Sequence, residues 1–258
     1  MDFGLVFWAV AVGIVVLMLL TWAVSVPLRD VSIIDPIWPV GFVVAAWIAF
    51  TVGGGDEGRR WLLAALVTVW GLRLSLHLAR RNFGKGEDPR YARMRERRPR
   101  VFWIRSLVTV FLLQGLLMWI VALPVQMGSV PDTDLGALAW IGAAVWAVGF
   151  FFETVGDWQL DRFRANPANK GQVLDTGLWR YTRHPNYFGD FCVWWGIFLV
   201  AAETGIGAAS IIGPILMSVL LIRVSGAALL EKGLANSRPG YAEYVRRTSG
   251  FFPRSPRA

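Results

Sequence analysis

Cysteine and histidine are almost absent from this sequence of 258 residues. The single Cys192 excludes an intramolecular disulfide, and the only histidines, His77 and His184, leave no Cys/His cluster that could hold a metal ion. We therefore predict no metal site. No GxGxxG motif opens a strand–helix unit, which excludes a Rossmann domain as the binding site of a dinucleotide.

Internal repeats, low-complexity segments and polar linkers are also missing, so we predict one integral membrane domain over residues 1–258. Hydrophobic residues make up 55% of the chain, above the range of soluble domains. Seven stretches approach the length that crosses a bilayer, which predicts an all-α membrane bundle of about seven helices with the lipid bilayer as its partner. They are 5–24, about 37–52, 61–79, 101–123, about 136–156, 188–202 and 206–222.

Basic residues are unevenly distributed between the connecting segments. Nine Lys or Arg lie in 80–100, five in 161–187 and seven in 223–258, whereas 124–134 and 203–205 have none. The positive-inside rule therefore predicts a cytoplasmic C-terminus and an N-terminus outside. Because such a bias is ordinary in membrane proteins, the net charge of +8 does not imply that the protein binds nucleic acid. The segment 90–100 also lacks interleaved aromatic residues beyond Tyr91, so we expect no nucleic-acid partner.

Several predicted spans contain charged residues, which by default mark a function or a buried partner. Arg73, His77 and Arg80 share one face of the third span, where Arg80 can extend to the headgroups. In the fifth span Glu153, Asp157 and Asp161 follow at four-residue intervals, with Arg164 three residues on. Partner arginines on neighbouring helices would account for these carboxylates, and so would hydrogen bonds from a ligand.

The segment "GLWRYTRHPNYFGD", residues 177–190, concentrates polar groups before an apolar run. Pro185 disfavours helical geometry at His184, so a helix should begin within "HPNYFGD". Its first turn, together with nearby basic side chains, predicts an anion site, although an interfacial anchor is the alternative. The polar residues in question are Arg180, Arg183, His184, Asn186, Tyr187 and Asp190.

This segment and its neighbours resemble a known family. The blocks are "SIIDPIWP", "WGLRLSLHLARRNFGKGEDPRYARMR", "GDWQLDRFR", "NKGQVLDTG", "GLWRYTRHPNYFGD" and "LLEKGLANSRPGYAEYVRRTSGFFP". In this order they are similar to the steroid 5α-reductase-like proteins, in particular to their bacterial branch of unknown function, DUF1295. The resemblance covers roughly residues 30–253.

The resemblance implies NADPH held among the later helices and hydride transfer to an activated C=C bond of a lipophilic steroid-, isoprenoid- or lipid-like substrate. The resemblance further implies that residues 1–123 form the substrate side and residues 136–258 the cofactor-binding half. The protein would lie in a bacterial inner membrane, with its cofactor site facing the cytoplasm. Family positions that contact the dinucleotide match Asp157, Arg164, Asn186, Asp190 and Arg223, and more loosely Glu153.

Clustered basic residues suit the phosphates of NADPH, because guanidinium groups match phosphate oxygens. They are Arg164, Lys170, Arg180, Arg183 and Arg223. The catalytic group is open: Arg73 and Asp35 are candidates because they lie in N-terminal blocks shared with the family branch, and Tyr91 in the basic segment is a third.

Two other functions remain. "RYTRHPNYFGD" also resembles a block of the isoprenylcysteine carboxyl methyltransferases and phospholipid methyltransferases, which implies S-adenosylmethionine in place of NADPH. A non-catalytic membrane protein that binds lipid is the third possibility, and bound nucleotide after purification would distinguish it from both enzymes.

Overall fold

A computed structural model of the protein describes residues 2–224 and 240–256, and these are helical with no strand among them. The helices are α1 (Phe3–Leu28), α2 (Ile34–Val52), α3 (Glu57–Asn82), α4 (Pro89–Arg97), α5 (Phe102–Ser106), α6 (Leu113–Val121), α7 (Leu123–Gly128), α8 (Ala137–Ala165), α9 (Pro185–Ala202), α10 (Gly205–Ala208), α11 (Ile212–Val219) and α12 (Tyr241–Arg247). Two π-helical segments, Leu107–Leu112 and Leu220–Val224, continue α5 and α11.

Within the described residues, six helical stretches are long and apolar enough to cross a membrane. These spans make the chain an integral membrane protein and confirm the predicted fold class. They are Phe3–Leu28, Val31–Val52, Glu57–Asn82, Phe102–Val121, Ala137–Ala165 and Gly205–Val224.

The seventh predicted span, 188–202, is also a helix, α9, but it falls outside those six. Asn186 and Asp190 lie in its first two turns and lower its mean hydropathy. Charge within a span is costly unless it has a partner, so the polar start of α9 is a candidate for a functional site.

The structure divides into two compact units. The first contains Met1–Ala139 and Ile197–Gly213, and the second contains Trp140–Gly196 and Pro214–Ala258. The predicted single domain, with a substrate half and a cofactor half, stays a prediction.

The core of the first unit is formed by one apolar stripe from each long helix. Along α1 the buried residues recur every four positions, at Val6, Val10, Ile14 and Met18. The intervening apolar side chains of α1, such as Trp8, are exposed, as expected of a helix whose other face meets lipid. Small residues bring the helices together: a Cβ at Gly71 of α3 would lie 2.9 Å from the carbonyl oxygen of Pro39 in α2.

A buried ion pair also holds the first unit. The Arg59 side chain is fully buried and lies 2.9 Å from Glu203 Oε2. It donates further hydrogen bonds to the carbonyls of Thr133, Asp134 and Val200. Glu203 in turn accepts from backbone N–H groups at the start of α8, with Gly136 at 2.8 Å. The pair therefore joins three segments that are distant in sequence.

Glycines let α8 and α9 pack backbone against backbone in the second unit. A Cβ at Gly149 would lie 2.5 Å from the carbonyl oxygen of Gly189, and one at Gly196 would lie 2.6 Å from that of Gly142. No side chain fits in such a space. This close approach places the polar start of α9 beside the polar end of α8, which is where the candidate site lies.

Candidate cofactor site and a buried acid–tyrosine pair

Two of the predicted cofactor residues are joined directly in the second unit. The Asn186 side-chain amide donates a hydrogen bond of 3.0 Å to Asp157 Oδ1, linking α9 to α8. Glu153, Asp157 and Asp190 are buried, with exposures of 3%, 6% and 7%. The structure therefore gathers carboxylates and one amide where the two helices approach each other most closely. Such a set can accept hydrogen bonds from hydroxyl and amide groups of a ligand.

The start of α9 agrees with the prediction from Pro185. The helix begins at this residue, and the preceding His184 is buried at 3% exposure. The His184 ring stacks on Tyr187, with the ring centroids 5.6 Å apart. The two rings thus pack against each other at the start of the helix, and the imidazole of His184 is not exposed.

The C-terminal segment of the described chain fastens the loop that precedes α9. Tyr244 of α12 donates to the carbonyl of Trp179 at 2.6 Å, and Thr182 donates to that of Phe251 at 2.7 Å. The Trp179 indole in turn donates to the Gly156 carbonyl in α8 at 3.1 Å. The loop 177–184 is consequently held both by α8 and by the C-terminal segment, although these contacting residues are distant from it in the sequence.

Arg183 belongs to this fastening. Its guanidinium donates to the carbonyls of Val245 and Thr248, both at 3.0 Å, and its backbone N–H donates to Ser249. A role in holding the C-terminal segment is therefore visible for Arg183, in addition to the predicted role in cofactor binding.

The remaining predicted basic residues lie at the surface. Along α8 the polar side chains change from buried at Glu153 and Asp157 to exposed at Asp161 and Arg164. Arg180 lines a cleft of about 540 Å³ together with Asp175, Glu243 and Arg247. The exposed predicted residues are Arg164, Lys170, Arg180 and Arg223.

A second polar cluster, in the first unit, joins two of the catalytic candidates. Tyr91 of α4 donates a hydrogen bond of 3.3 Å to Asp35 Oδ1 in the first turn of α2. Gln114 of α6, just after a π-helical segment, donates to the Tyr91 hydroxyl at 3.4 Å. π-helical segments often accompany functional sites. Arg90 lies 3.6 Å from the other Asp35 oxygen, so the carboxylate has a cationic neighbour.

Burial raises the pKa of Tyr91, and the negative charge of Asp35 raises it further. Tyr91 therefore keeps its proton at neutral pH and acts as a hydrogen-bond donor. This buried position differs from the open basic loop that the sequence around Tyr91 suggests, because α4 folds back onto α2 and exposes its arginines instead.

The carboxylate of Glu87 holds α4 in this position. Glu87 accepts two hydrogen bonds from Arg95, at 2.7 and 2.9 Å, and one from the Val31 backbone N–H. Burial alone would raise the pKa of Glu87, but these donors outweigh it and hold the pKa below its ordinary value of 4.5. Glu87 is thus ionised at neutral pH and links α4 to the residues just before α2.

Arg73 and His77, the other unusual residues of the first unit, are half-buried on α3. Gly71 and Ser75 on either side of Arg73 both contact the first turns of α2; the Ser75 hydroxyl donates to the Pro36 carbonyl at 2.7 Å. Arg73 thus belongs to the part of α3 that packs beside the start of α2, where Asp35 lies.

The sequence does not single out several residues of these clusters as candidates. Gln114 lies in an apolar span, and Thr182 and Tyr244 lie in two of the blocks that resemble the family, which do not mark them individually. The polar residue inside a predicted span was the available clue for Gln114. The part of the family resemblance at 229–239 lies outside the described residues.

A family model described as "Protein of unknown function (DUF1295)" matches residues 21–248. An uncharacterized protein of the fission yeast Schizosaccharomyces pombe is 26% identical over 264 aligned positions, covering 90% of this chain and 75% of the yeast protein. No solved structure matches the chain.

Proposed function

Since this chain belongs to the DUF1295 family, we propose for it the activity implied by that family's resemblance to the steroid 5α-reductases. It is then a membrane-embedded, NADPH-dependent reductase that acts on an activated C=C bond of a lipophilic substrate. The observation that carries the proposal is the hydrogen bond between the buried Asp157 and the half-buried Asn186, with the buried Glu153 and Asp190 on the same two helices of the second unit.

The chemistry of this donor and acceptor set fits a dinucleotide. Buried carboxylates can accept hydrogen bonds from ribose hydroxyls and from a carboxamide, and the Asn186 amide fixes the orientation of Asp157. The exposed Arg164, Arg180 and Arg223 suit phosphate groups, because each guanidinium can donate two parallel hydrogen bonds. When bound, NADPH would supply the hydride, while the protein supplies orientation and electrostatics.

In the first unit, Tyr91 is the residue that we assign to the acceptor. Reduction of a conjugated C=C bond is accelerated when a donor polarises the adjoining carbonyl. Tyr91 keeps its proton, and Asp35 and Gln114 orient its hydroxyl. Because the hydroxyl has a single proton, donation to a substrate carbonyl would replace its hydrogen bond to Asp35. A membrane location suits such a substrate, since it reaches the protein from the bilayer.

The positions of the basic segments further support a cytoplasmic face for the cofactor residues, with the C-terminus on the same side. A bacterial inner membrane is the setting that we propose.

A second candidate, an S-adenosylmethionine-dependent methyltransferase of a lipid or isoprenyl substrate, is favoured by one observation. The buried charged groups at the junction of α8 and α9 are acidic, and a sulfonium cation would be attracted to them. The two ligands differ in that only NADPH carries phosphates.

Ligand-dependent thermal unfolding of the detergent-purified protein tests the proposal. We expect NADPH to raise the unfolding midpoint more than NADH or S-adenosylmethionine does. Arg223→Ala should weaken NADPH binding and leave S-adenosylmethionine unaffected. Stabilisation by S-adenosylmethionine alone would overturn the reductase in favour of the methyltransferase. Lack of response to all three ligands would favour a non-catalytic lipid-binding protein.

A further inference from the structure

A second cleft of the second unit, about 420 Å³ in volume, is dominated by arginine side chains. We name it the arginine cleft, after Arg183, Arg246, Arg247 and Arg254 in its lining. The described residues that line it include no carboxylate. The neighbouring 540 Å³ cleft differs, because there Arg180 and Arg247 face Asp175 and Glu243.

The walls of the arginine cleft are held by backbone interactions. Arg183 donates to two carbonyls at the end of α12, and the Arg254 backbone N–H donates to the Tyr181 carbonyl at 3.0 Å. The loop before α9 and the segment after α12 are therefore fixed against each other. Their arginines are consequently brought together by the fold and not by chance motion of a free tail.

The ion pair between Arg247 and Glu243 on α12 neutralises little of the positive charge of the arginine cleft. Arg247 lies 3.9 Å from Glu243, and both side chains are more than half exposed, at 56% and 62%. Exposed pairs of this kind contribute little free energy. Arg246 and Arg254 are exposed as well. Like charges brought together in this way repel one another, and an anion in the cleft would relieve the repulsion.

Exposed apolar side chains accompany these arginines. Val245 and Phe252 line the same cleft and are 37% and 47% exposed, and Tyr181 next to it is 44% exposed. Arginines beside exposed aromatic and aliphatic groups are typical of protein surfaces that meet lipid headgroups. The combination favours a ligand that joins a phosphate to an apolar tail.

We propose that the arginine cleft binds a phosphate group, supplied by an anionic lipid. The site shares Arg183 with the basic residues predicted for the NADPH phosphates, but its other arginines lie outside the predicted cofactor residues. It would operate whether or not the chain is a reductase. It would tie the segment after α12 to the membrane surface, next to the loop that carries the start of α9.

Binding of dioctanoyl phosphatidic acid to the purified full-length protein tests this site. Affinity would be measured by the concentration dependence of the thermal unfolding midpoint, with inorganic phosphate, dioctanoyl phosphatidylcholine and NADPH as parallel ligands. The variant is R246Q/R254Q, which removes two exposed guanidinium groups and leaves the backbone contacts in place. The matched control is R97Q/R100Q, which removes the same charge from exposed positions of the first unit.

We expect phosphatidic acid to stabilise the wild type more than phosphatidylcholine does, and its affinity to fall about tenfold or more in R246Q/R254Q, because charge-assisted hydrogen bonds are lost. The control should bind as the wild type does. Unchanged affinity in R246Q/R254Q, or an equal loss in R97Q/R100Q, would overturn the site. An effect on inorganic phosphate without binding of phosphatidic acid would overturn the lipid, and an effect on NADPH alone would assign the arginines to the dinucleotide.

Discussion

Acidic side chains in or beside the membrane spans distinguish this protein from one whose spans are entirely apolar. Asp35, Glu153, Asp157 and Asp190 all stand in or beside apolar spans, where an ionised group needs a partner or a ligand. The sequence singles out each of them as a candidate. It does not show that Asp157 meets Asn186 or that Asp35 meets Tyr91, because these pairs are 29 and 56 residues apart.

Asn186→Ala should weaken NADPH binding about tenfold, since Asp157 loses the amide that orients it and a hydrogen bond to a charged group is removed. Isothermal titration with NADPH in detergent measures the change. Gln172→Ala, at an exposed position of the same unit, is the control and should bind as the wild type. Equal NADPH affinity in the wild type and Asn186→Ala would place the cofactor elsewhere.

Tyr91→Phe should lower the reduction rate about a hundredfold, because the donor to the acceptor carbonyl is lost. NADPH oxidation, followed by absorbance with a panel of lipophilic enones, gives the rate. NADPH affinity should not change, which separates a role in the reaction from a folding defect. The exposed Tyr181→Phe is the control. Full activity of Tyr91→Phe with an enone that the wild type reduces would refute this assignment.

Among the helices, glycine residues determine which pairs can bring their backbones into contact. The hydropathy of the sequence predicts the membrane-length helices that the structure describes, and Pro185 predicts the start of α9. The end of α8 differs, because this helix continues through its polar last turns to Ala165, beyond the predicted end at about 156. The partners of these helices depend on positions such as Gly149 and Gly189, whose α-carbons permit backbone contact between α8 and α9. In the sequence these glycines look like the others in the chain.

Gly189→Ala should destabilise the protein by about 1–3 kcal/mol, because the added methyl group overlaps the α8 backbone. The thermal unfolding midpoint in detergent measures this. Gly205→Ala is a matched control, since a Cβ at that position meets nothing within 4 Å. If both variants unfold at the same temperature as the wild type, α8 and α9 are not in backbone contact.

Glu203→Ala should be more destabilising, by about 3 kcal/mol or more, because it leaves the buried Arg59 without its carboxylate. Unfolding by heat or denaturant in detergent gives the value. Glu243→Ala removes an exposed carboxylate at 3.9 Å from Arg247 and should change stability by less than about 1 kcal/mol. Similar effects of the two substitutions would contradict the central place of the Arg59–Glu203 pair in the first unit.

For the whole molecule, the distribution of basic residues leads to a proposed orientation with a cytoplasmic C-terminus. In this arrangement the arginine cleft faces the cytoplasmic leaflet, where anionic lipids attract basic side chains. The orientation depends on charge that can be counted in the sequence, whereas the cleft depends on the fold that brings its arginines together.

A reporter enzyme fused to the C-terminus tests this orientation in bacterial cells. A reporter that is active only in the cytoplasm should be active, and one that requires export should be silent. A fusion after residue 130, in the segment without basic residues, should give the opposite pattern and serves as the control. Export of the C-terminal reporter would invert the proposed arrangement.

The membrane helices, their approximate ends and the candidate polar residues can all be predicted from the amino-acid sequence. These properties are local: apolar length, proline position and charge can be read one segment at a time. Three contacts become visible in the folded chain alone: Tyr91 is buried against Asp35, Arg183 holds the C-terminal segment, and Arg59 pairs with Glu203, 144 residues away. Such pairings depend on which helix faces meet, and that is set by the packing of many residues together rather than by any one segment.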